Sequence, residues 1–280
     1  MTASQITLET MTPDHLDGAV GLSQQAGWPH RREDWAFVLA LSNGVVALED
    51  GRVVGTAMST PLGEAVATVN MVIVDEAMRG RGLGRKLMQA ALDAATGRTC
   101  LLVATHEGLP LYEKLGFVAN GEIVQHQGLA LKVAAPSNIS WAASDDFARL
   151  AALDHLATGH NRTNIMQLLK ENAKFAVLRK EDDVDAFAGI RPFGRGLVIG
   201  PVVAKTGDEA RSLIDFLLAQ HAGEFVRIDT NIATHLGPWL TGRGLVHVGG
   251  GIPMCRAVEQ SEDNSGSEYR TYALVNQALG

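Results

Sequence analysis

Short apolar runs broken by turn residues open the chain, and a helical period replaces them near Leu83. "ITLET" reads as a strand. "TPDHLDGAVGLSQQA" reads as a helix, with Thr12 as N-cap and Pro13 at its first position. "GWPHRREDWAFVLALS" predicts a turn and a short helix. "GVVALEDGRVVGTAMST" predicts a β-hairpin closed at Asp50-Gly51, and "AVATVNMVIV" a further strand. Leu83, Leu87, Ala91, Leu92 and Ala95 then share one helical face, and Thr96-Gly97 ends the helix. "TCLLVAT" predicts a buried strand, "GLPLYEKLGF" a short helix capped at Gly116, and "EIVQHQGLALKV" a second hairpin.

The same order of elements returns after Ala134–Asn138 ("AAPSN"), the best linker candidate. "FAVLRKEDDVDAFAGIRP" resembles the first hairpin, and "GLVIGPVVA" stands where "TVNMVIV" stood. "EARSLIDFLLAQ" repeats the apolar spacing of "LGRKLMQAALDA", "EFVRIDT" answers "TCLLVAT", and "WLTGRGLV" answers "LYEKLGFV". A period this long predicts two copies of one mixed α/β fold rather than a solenoid. The expected domains are residues 1–134 and 138–280.

Composition adds limits. The 280 residues suit two domains, and 46% of them are apolar, enough for a core in each. A net charge of −7 argues against a nucleic-acid partner. Cys100 and Cys255 lack partners at metal-ligand spacing and read as reduced thiols; His155 and His160 lack HExxH spacing, so no metal is expected. No signal peptide or membrane-length apolar run is evident, so the expectation is a cytoplasmic protein with no membrane partner.

The chemistry concentrates in "RGRGLG", Arg79 to Gly84, between a strand and a helix. The first N–H groups of a helix have no internal partner, and the helix dipole makes that end positive. Glycines bring those amides close to an anion, and Arg79, Arg81 and Arg85 add charge, so a phosphate or pyrophosphate is the expected ligand. It is not a Walker loop, because Leu87 follows Lys86. Nor does it fit the Rossmann fingerprint, because the third glycine comes one residue early and Arg85 fills its place.

"VDEAMRGRGLGRKLM" resembles the pyrophosphate-binding motif of the GNAT superfamily of N-acetyltransferases, with Arg79, Gly82 and Gly84 at its defining positions. "THEGLPLYEKLGF" is similar to that family's second marker, and "VVALEDGRVVGTAMS" to its hairpin; together they span about Ile6 to Lys132. The second half, around "LDHLATGHNRTNIMQLL" and "IGPVVAK", resembles the C-terminal domain of the two-domain YitH-like subgroup.

The resemblance implies an acetyltransferase that uses acetyl-CoA. Backbone groups of Val72, Ile73 and Val74 would hold the pantetheine arm, joined by Thr105 where the family often has asparagine. Residues Arg79, Gly80, Arg81, Gly82, Leu83, Gly84 and Arg85 would wrap the pyrophosphate. An amine would attack the thioester directly, an N–H near Val72 would hold the oxyanion, and Tyr112 would protonate the leaving thiolate. Some members place a general-base carboxylate where this chain has Thr68 and Asn70; Glu64 is the nearest acid, which leaves the base open. In "GWPHRREDW", Trp28, Asp34 and Trp35 are expected to line the acceptor site, with Asp34 facing a cationic amine. The expected acceptor is a small-molecule amine rather than a protein.

The second copy reads as degenerate. "AKTGDEAR" replaces the glycine loop and brings Asp208 and Glu209 to the anion position, and Leu240 stands at the place of Tyr112. This half is expected to bind no CoA and to contribute acceptor contacts, with Asp154, His155, His160, Arg162 and Asp229 as candidates. The alternative reading of the whole chain is a catalytically silent sensor of acetyl-CoA.

Overall fold

In a computed structural model, which describes residues 5–257 and 266–280, the strand and helix order follows the sequence pattern closely. The first part runs β1 (Ile6–Thr10), α1 (Leu16–Gln25), α2 (Arg32–Leu39), β2 (Asn43–Glu49), β3 (Arg52–Leu62), β4 (Val66–Val74), α3 (Leu83–Ala94), β5 (Thr99–Ala104), α4 (Leu109–Lys114) and β6 (Val118–Ala119). It continues with β7 (Ile123–Leu129), β8 (Ile139–Trp141), α5 (Phe147–Thr158), α6 (Thr163–Asn172), β9 (Lys174–Lys180), β10 (Asp183–Phe193), β11 (Gly196–Ala204), α7 (Gly207–Gln220), β12 (Phe225–Asn231), α8 (Gly237–Thr241), β13 (Val246–Arg256) and β14 (Arg270–Ala273).

Two compact units result: residues 5–118 with 254–257, and residues 119–253 with 266–278. In the first, β1, β2, β3 and β4 pair antiparallel in chain order and β5 joins β4 in parallel. The β2–β3 turn places Asp50 at φ 50° and Gly51 at φ 80°, the two positive angles that a type I′ turn demands. Leu83, Leu87, Met88, Ala91 and Leu92 form the buried stripe of α3, which packs on β3 and β4. Pro13 begins a single 3-10 turn that leads into α1, and the Thr12 amide donates to His15 Nδ1 at 3.0 Å.

The second unit repeats this plan. β9 and β10 form the hairpin, β11 pairs with β10 antiparallel and with β12 in parallel, and α7 packs on β10 and β11. One expected element differs. "EIVQHQGLALKV" is not a hairpin: Ile123–Leu129 runs on as one strand, which pairs with β12 along its whole length and with β13 on its other side. A sequence window cannot distinguish a strand that turns back on itself from one whose partners lie far along the chain. So β7, assigned from sequence to residues 1–134, packs within the second compact unit.

Candidate active site

The site begins where two parallel strands separate. β4 and β5 pair only from Val66 with Thr99 to Thr68 with Leu101. Beyond that point, the edge of β4 turned away from β3 has no strand partner among the described residues as far as Val74, so its backbone groups are open to a ligand that mimics a strand. The same stretch is irregular. The β3–β4 register slips between Thr56 and Met58, Met71 takes φ 50°, and Thr56 Oγ1 donates to the Met71 carbonyl at 2.7 Å. A bulge of this kind re-aims backbone groups, and the buried threonine holds it in place.

β4 runs into the glycine loop. Gly80 and Gly82 take φ 76° and 74°, a left-handed conformation that suits glycine, and Gly82 is the N-cap of α3. A Cβ at either glycine would meet no atom of the described residues within 4 Å, so neither packs against their side chains. The first amides of a twelve-residue helix therefore reach the surface beside the open edge of β4. Arg81 and Arg85 are exposed there. Arg79 Nη1 reaches Glu107 Oε1 at 2.6 Å; both side chains are well exposed, and such pairs contribute only ~0–1 kcal/mol, so Arg79 is readily drawn to a stronger anion.

Asp75, which sequence reasoning passed over, anchors the loop. It accepts from the Ala77 amide at 2.9 Å and from Arg52 Nη1 at 2.7 Å, and Gln25 Nε2 lies at 3.5 Å. Burial works to raise the Asp75 pKa, but these donors overcome it and hold the carboxyl below its ordinary value. The signal in the sequence was an aspartate two residues before a backbone donor at a strand end.

Tyr112 on α4 is 8% exposed, and burial pushes its phenol up to about 12. Its ring meets Phe117 edge-on at 6.2 Å between centroids. The hydroxyl makes no hydrogen bond to any described residue, so the proton stays on the oxygen and remains uncommitted at neutral pH. Thr105 lies in the preceding turn, where its Oγ1 accepts from the Gly108 amide at 3.1 Å.

The acceptor residues expected from sequence divide. Trp28 is half-buried and its ring lies 5.5 Å from that of His30, at the turn between α1 and α2. Trp35 is not a surface group: it is 0% exposed, and its indole N–H donates to buried Ser23 Oγ at 2.8 Å, which makes it a core residue of α2. Asp34 is also buried. It accepts from the Arg31 amide at 2.9 Å and is gripped by the Arg31 guanidinium at 2.8 and 3.1 Å, so it caps α2 and already has its cation. Both side chains are thus engaged within the unit, Trp35 with Ser23 and Asp34 with Arg31, rather than turned to an acceptor.

The second unit closes the equivalent places. β11 and β12 pair from Leu197 with Val226 to Ile199 with Ile228, then separate as β4 and β5 do. Here β14 takes the freed edge: Ala273, Thr271 and Arg270 pair with Val202, Val203 and Ala204, and the Leu274 amide donates to the Asp229 carbonyl of β12 at 2.9 Å. At the start of α7, Glu209 Oε2 accepts from the amides of Lys205 and Thr206, both at 3.0 Å, while Thr206 Oγ1 accepts from the Glu209 amide at 3.3 Å. This capping box puts a carboxylate of the chain itself on the amides that an anion would use. Leu240, at the position of Tyr112, is 0% exposed. Asp154 and Arg162 form a buried bidentate ion pair at 2.7 and 3.0 Å, and Asp229 is held by Arg227 and Gln277.

A strand splay that leads to a glycine-capped helix N-terminus is the arrangement of a GNAT-type acyltransferase. The chain belongs to the GNAT acetyltransferases as a tandem of two such domains: the Acetyltransferase (GNAT) family profile matches residues 9–117, and an Acetyltransferase (GNAT) domain profile matches residues 150–270. It is 28% identical over 276 residues to a Bacillus subtilis (strain 168) protein named "Uncharacterized N-acetyltransferase YitH", covering 95% of this chain and 96% of that one. Among solved structures, an acetyltransferase-type protein of Pyrococcus horikoshii superposes with a TM-score of 0.82 at 17% identity, covering 100% of this chain and 98% of its own. A tandem GNAT protein from the clavulanic acid biosynthesis pathway gives 0.64 at 14% identity, covering 92% and 100%. No described helix is long and apolar enough to cross a membrane.

Proposed function

We propose that the first unit transfers the acetyl group of acetyl-CoA to a primary amine, and that the second unit takes no cofactor. The observation that carries this is the contrast between the two splays. The edge of β4 is open and leads to bare helix amides, whereas β14 and Glu209 fill the same places beside β11 and α7.

The residues present fit the donor. Val72, Ile73 and Val74 offer backbone groups to a pantetheine arm, and the Gly80–Arg85 segment offers amides and guanidinium groups to a pyrophosphate. The coenzyme supplies a thioester. The amine lone pair attacks its carbonyl carbon, and an amide near Val72, at the bulge, holds the oxyanion. As the C–S bond breaks, Tyr112 gives its proton to the thiolate, and the proton that the amine loses returns to Tyr112 through solvent. The products are an acetamide and the free thiol. A phenol held at about 12 is fully protonated at neutral pH, so the proton is present when the thiolate leaves.

Calorimetric titration with acetyl-CoA, followed by a thiol-release assay over a panel of amines, tests this reading. One site per chain with turnover supports it. Two sites overturn the closed second unit. Binding without turnover of any amine makes the protein a silent acetyl-CoA sensor.

A further inference from the structure

Resting on that reading, a buried cluster at the apex of the first splay carries the argument into the acceptor side of the reaction. Asn70 of β4 is 7% exposed. Its Nδ2 donates to Thr60 Oγ1 at 2.9 Å and to Thr68 Oγ1 at 3.1 Å. Thr60 Oγ1 lies 2.5 Å from Ser42 Oγ, and Ser42 Oγ donates to the Val38 carbonyl of α2 at 2.7 Å.

The polarity of this chain follows from its last link. Ser42 has one proton and spends it on Val38, so the Thr60 proton must go to Ser42. Thr60 is then an acceptor toward Asn70, which fixes the amide with its NH2 group inward. Asn70 Oδ1 is left buried, and no donor among the described residues reaches it. An acceptor stranded in that way is costly, and a donor from a ligand would recover the loss.

The position of this oxygen suggests which donor. A pyrophosphate at Gly80–Arg85 anchors one end of the coenzyme, so the arm returns along β4 from Val74 toward the apex at Thr68. Its reactive end thus arrives beside Asn70, one residue before the bulge at Met71. The cluster is tied at its far end to the Val38 carbonyl of α2. It contains only hydroxyls and an amide, so it has no charge to offer an ammonium ion.

We infer that Asn70 Oδ1 accepts a hydrogen bond from the N–H of the attacking amine and orients its lone pair on the thioester, selecting an uncharged amine nitrogen. It takes no proton; an amide oxygen is too weak a base. The probe is hydroxylamine, small and uncharged at neutral pH, with acetyl-CoA as donor and the spontaneous reaction subtracted. Asn70→Leu removes the acceptor at similar volume, and Asn70→Gln keeps both an amide oxygen and an NH2 group for Thr60 and Thr68.

The expected result is that Asn70→Leu lowers kcat/KM for hydroxylamine by about 10–100-fold with the Kd for acetyl-CoA unchanged, and that Asn70→Gln recovers part of the loss. Full activity in Asn70→Leu overturns the inference. So does a loss of coenzyme affinity in both variants, which marks a structural prop. So does a wild type that binds acetyl-CoA but does not accelerate the hydroxylamine reaction. Failure of the wild type to bind acetyl-CoA at all is different: it removes the parent reading.

Discussion

The ring of Tyr112 packs so close to Gly108 that a Cβ on Gly108 would sit 2.8 Å from Tyr112 Cε2. The turn before α4 thereby fixes the phenol, with the Thr105 hydroxyl holding the Gly108 amide. Replacing Tyr112 by Phe keeps that packing and removes only the proton donor. Turnover should fall by about 100-fold while the Kd for acetyl-CoA stays within a factor of two, as general acid catalysis of this kind contributes ~10²–10⁴. Steady-state kinetics beside a binding titration checks this, and unchanged turnover removes Tyr112 from the mechanism.

The same phenol has a signature in stability. Its pKa is about 12 in the folded chain against an ordinary 10, so the unfolded chain loses this proton first as pH rises. Its contribution is fully present below pH 10 and is lost as pH climbs toward 12, amounting to about 2–3 kcal/mol. Urea melts of wild type and Tyr112→Phe across pH 8 to 11 should diverge above pH 10, with the wild type falling more steeply. Parallel curves would mean that the phenol is not buried as described.

Gly82 carries two requirements at once, a φ of 74° and bare amides at the start of α3. Gly82→Asp strains the first and sets a negative charge on the second. Acetyl-CoA binding should become undetectable by calorimetry, while the melting temperature drops by only a few degrees, since a left-handed non-glycine residue costs about 1–2 kcal/mol. Retained affinity would dissociate the loop from the cofactor.

Asp154 and Arg162 are the most deeply buried ion pair in the second unit among the described residues, with side chains 1% and 2% exposed. Arg162 Nη1 also donates to the Gly280 carbonyl at 2.8 Å. Asp154→Ala leaves that guanidinium buried without its carboxylate, which costs about 3–5 kcal/mol. Chemical denaturation should show a loss of that size. A loss below about 1 kcal/mol would mean that the charge escapes to water.

Much of the site was legible because its rules are local. Asp50-Gly51 and the glycines at 80 and 82 declare their backbone angles, and Leu83 to Ala91 declare a helical face whatever surrounds them. The sequence by itself therefore determined the strand, the glycine loop and the helix N-terminus, where that junction falls in each copy, and that the second copy carries acids there. The tertiary structure alone decided the rest. Trp35 and Asp34 stand in a polar, aromatic stretch that reads as a binding surface, but Ser23 and Arg31 turn them inward. Ile123–Leu129 reads as half a hairpin, yet its partners come from residues 225–231 and 246–251. β14 enters the second splay from some 70 residues beyond β11, and the stranded state of buried Asn70 Oδ1 depends on a hydroxyl chain that ends on the Val38 carbonyl of α2. Periodicity reports which positions are apolar and which angles are allowed. It carries no information on which distant strand fills an open edge or which distant side chain satisfies a donor, because those choices are made by packing across the whole unit.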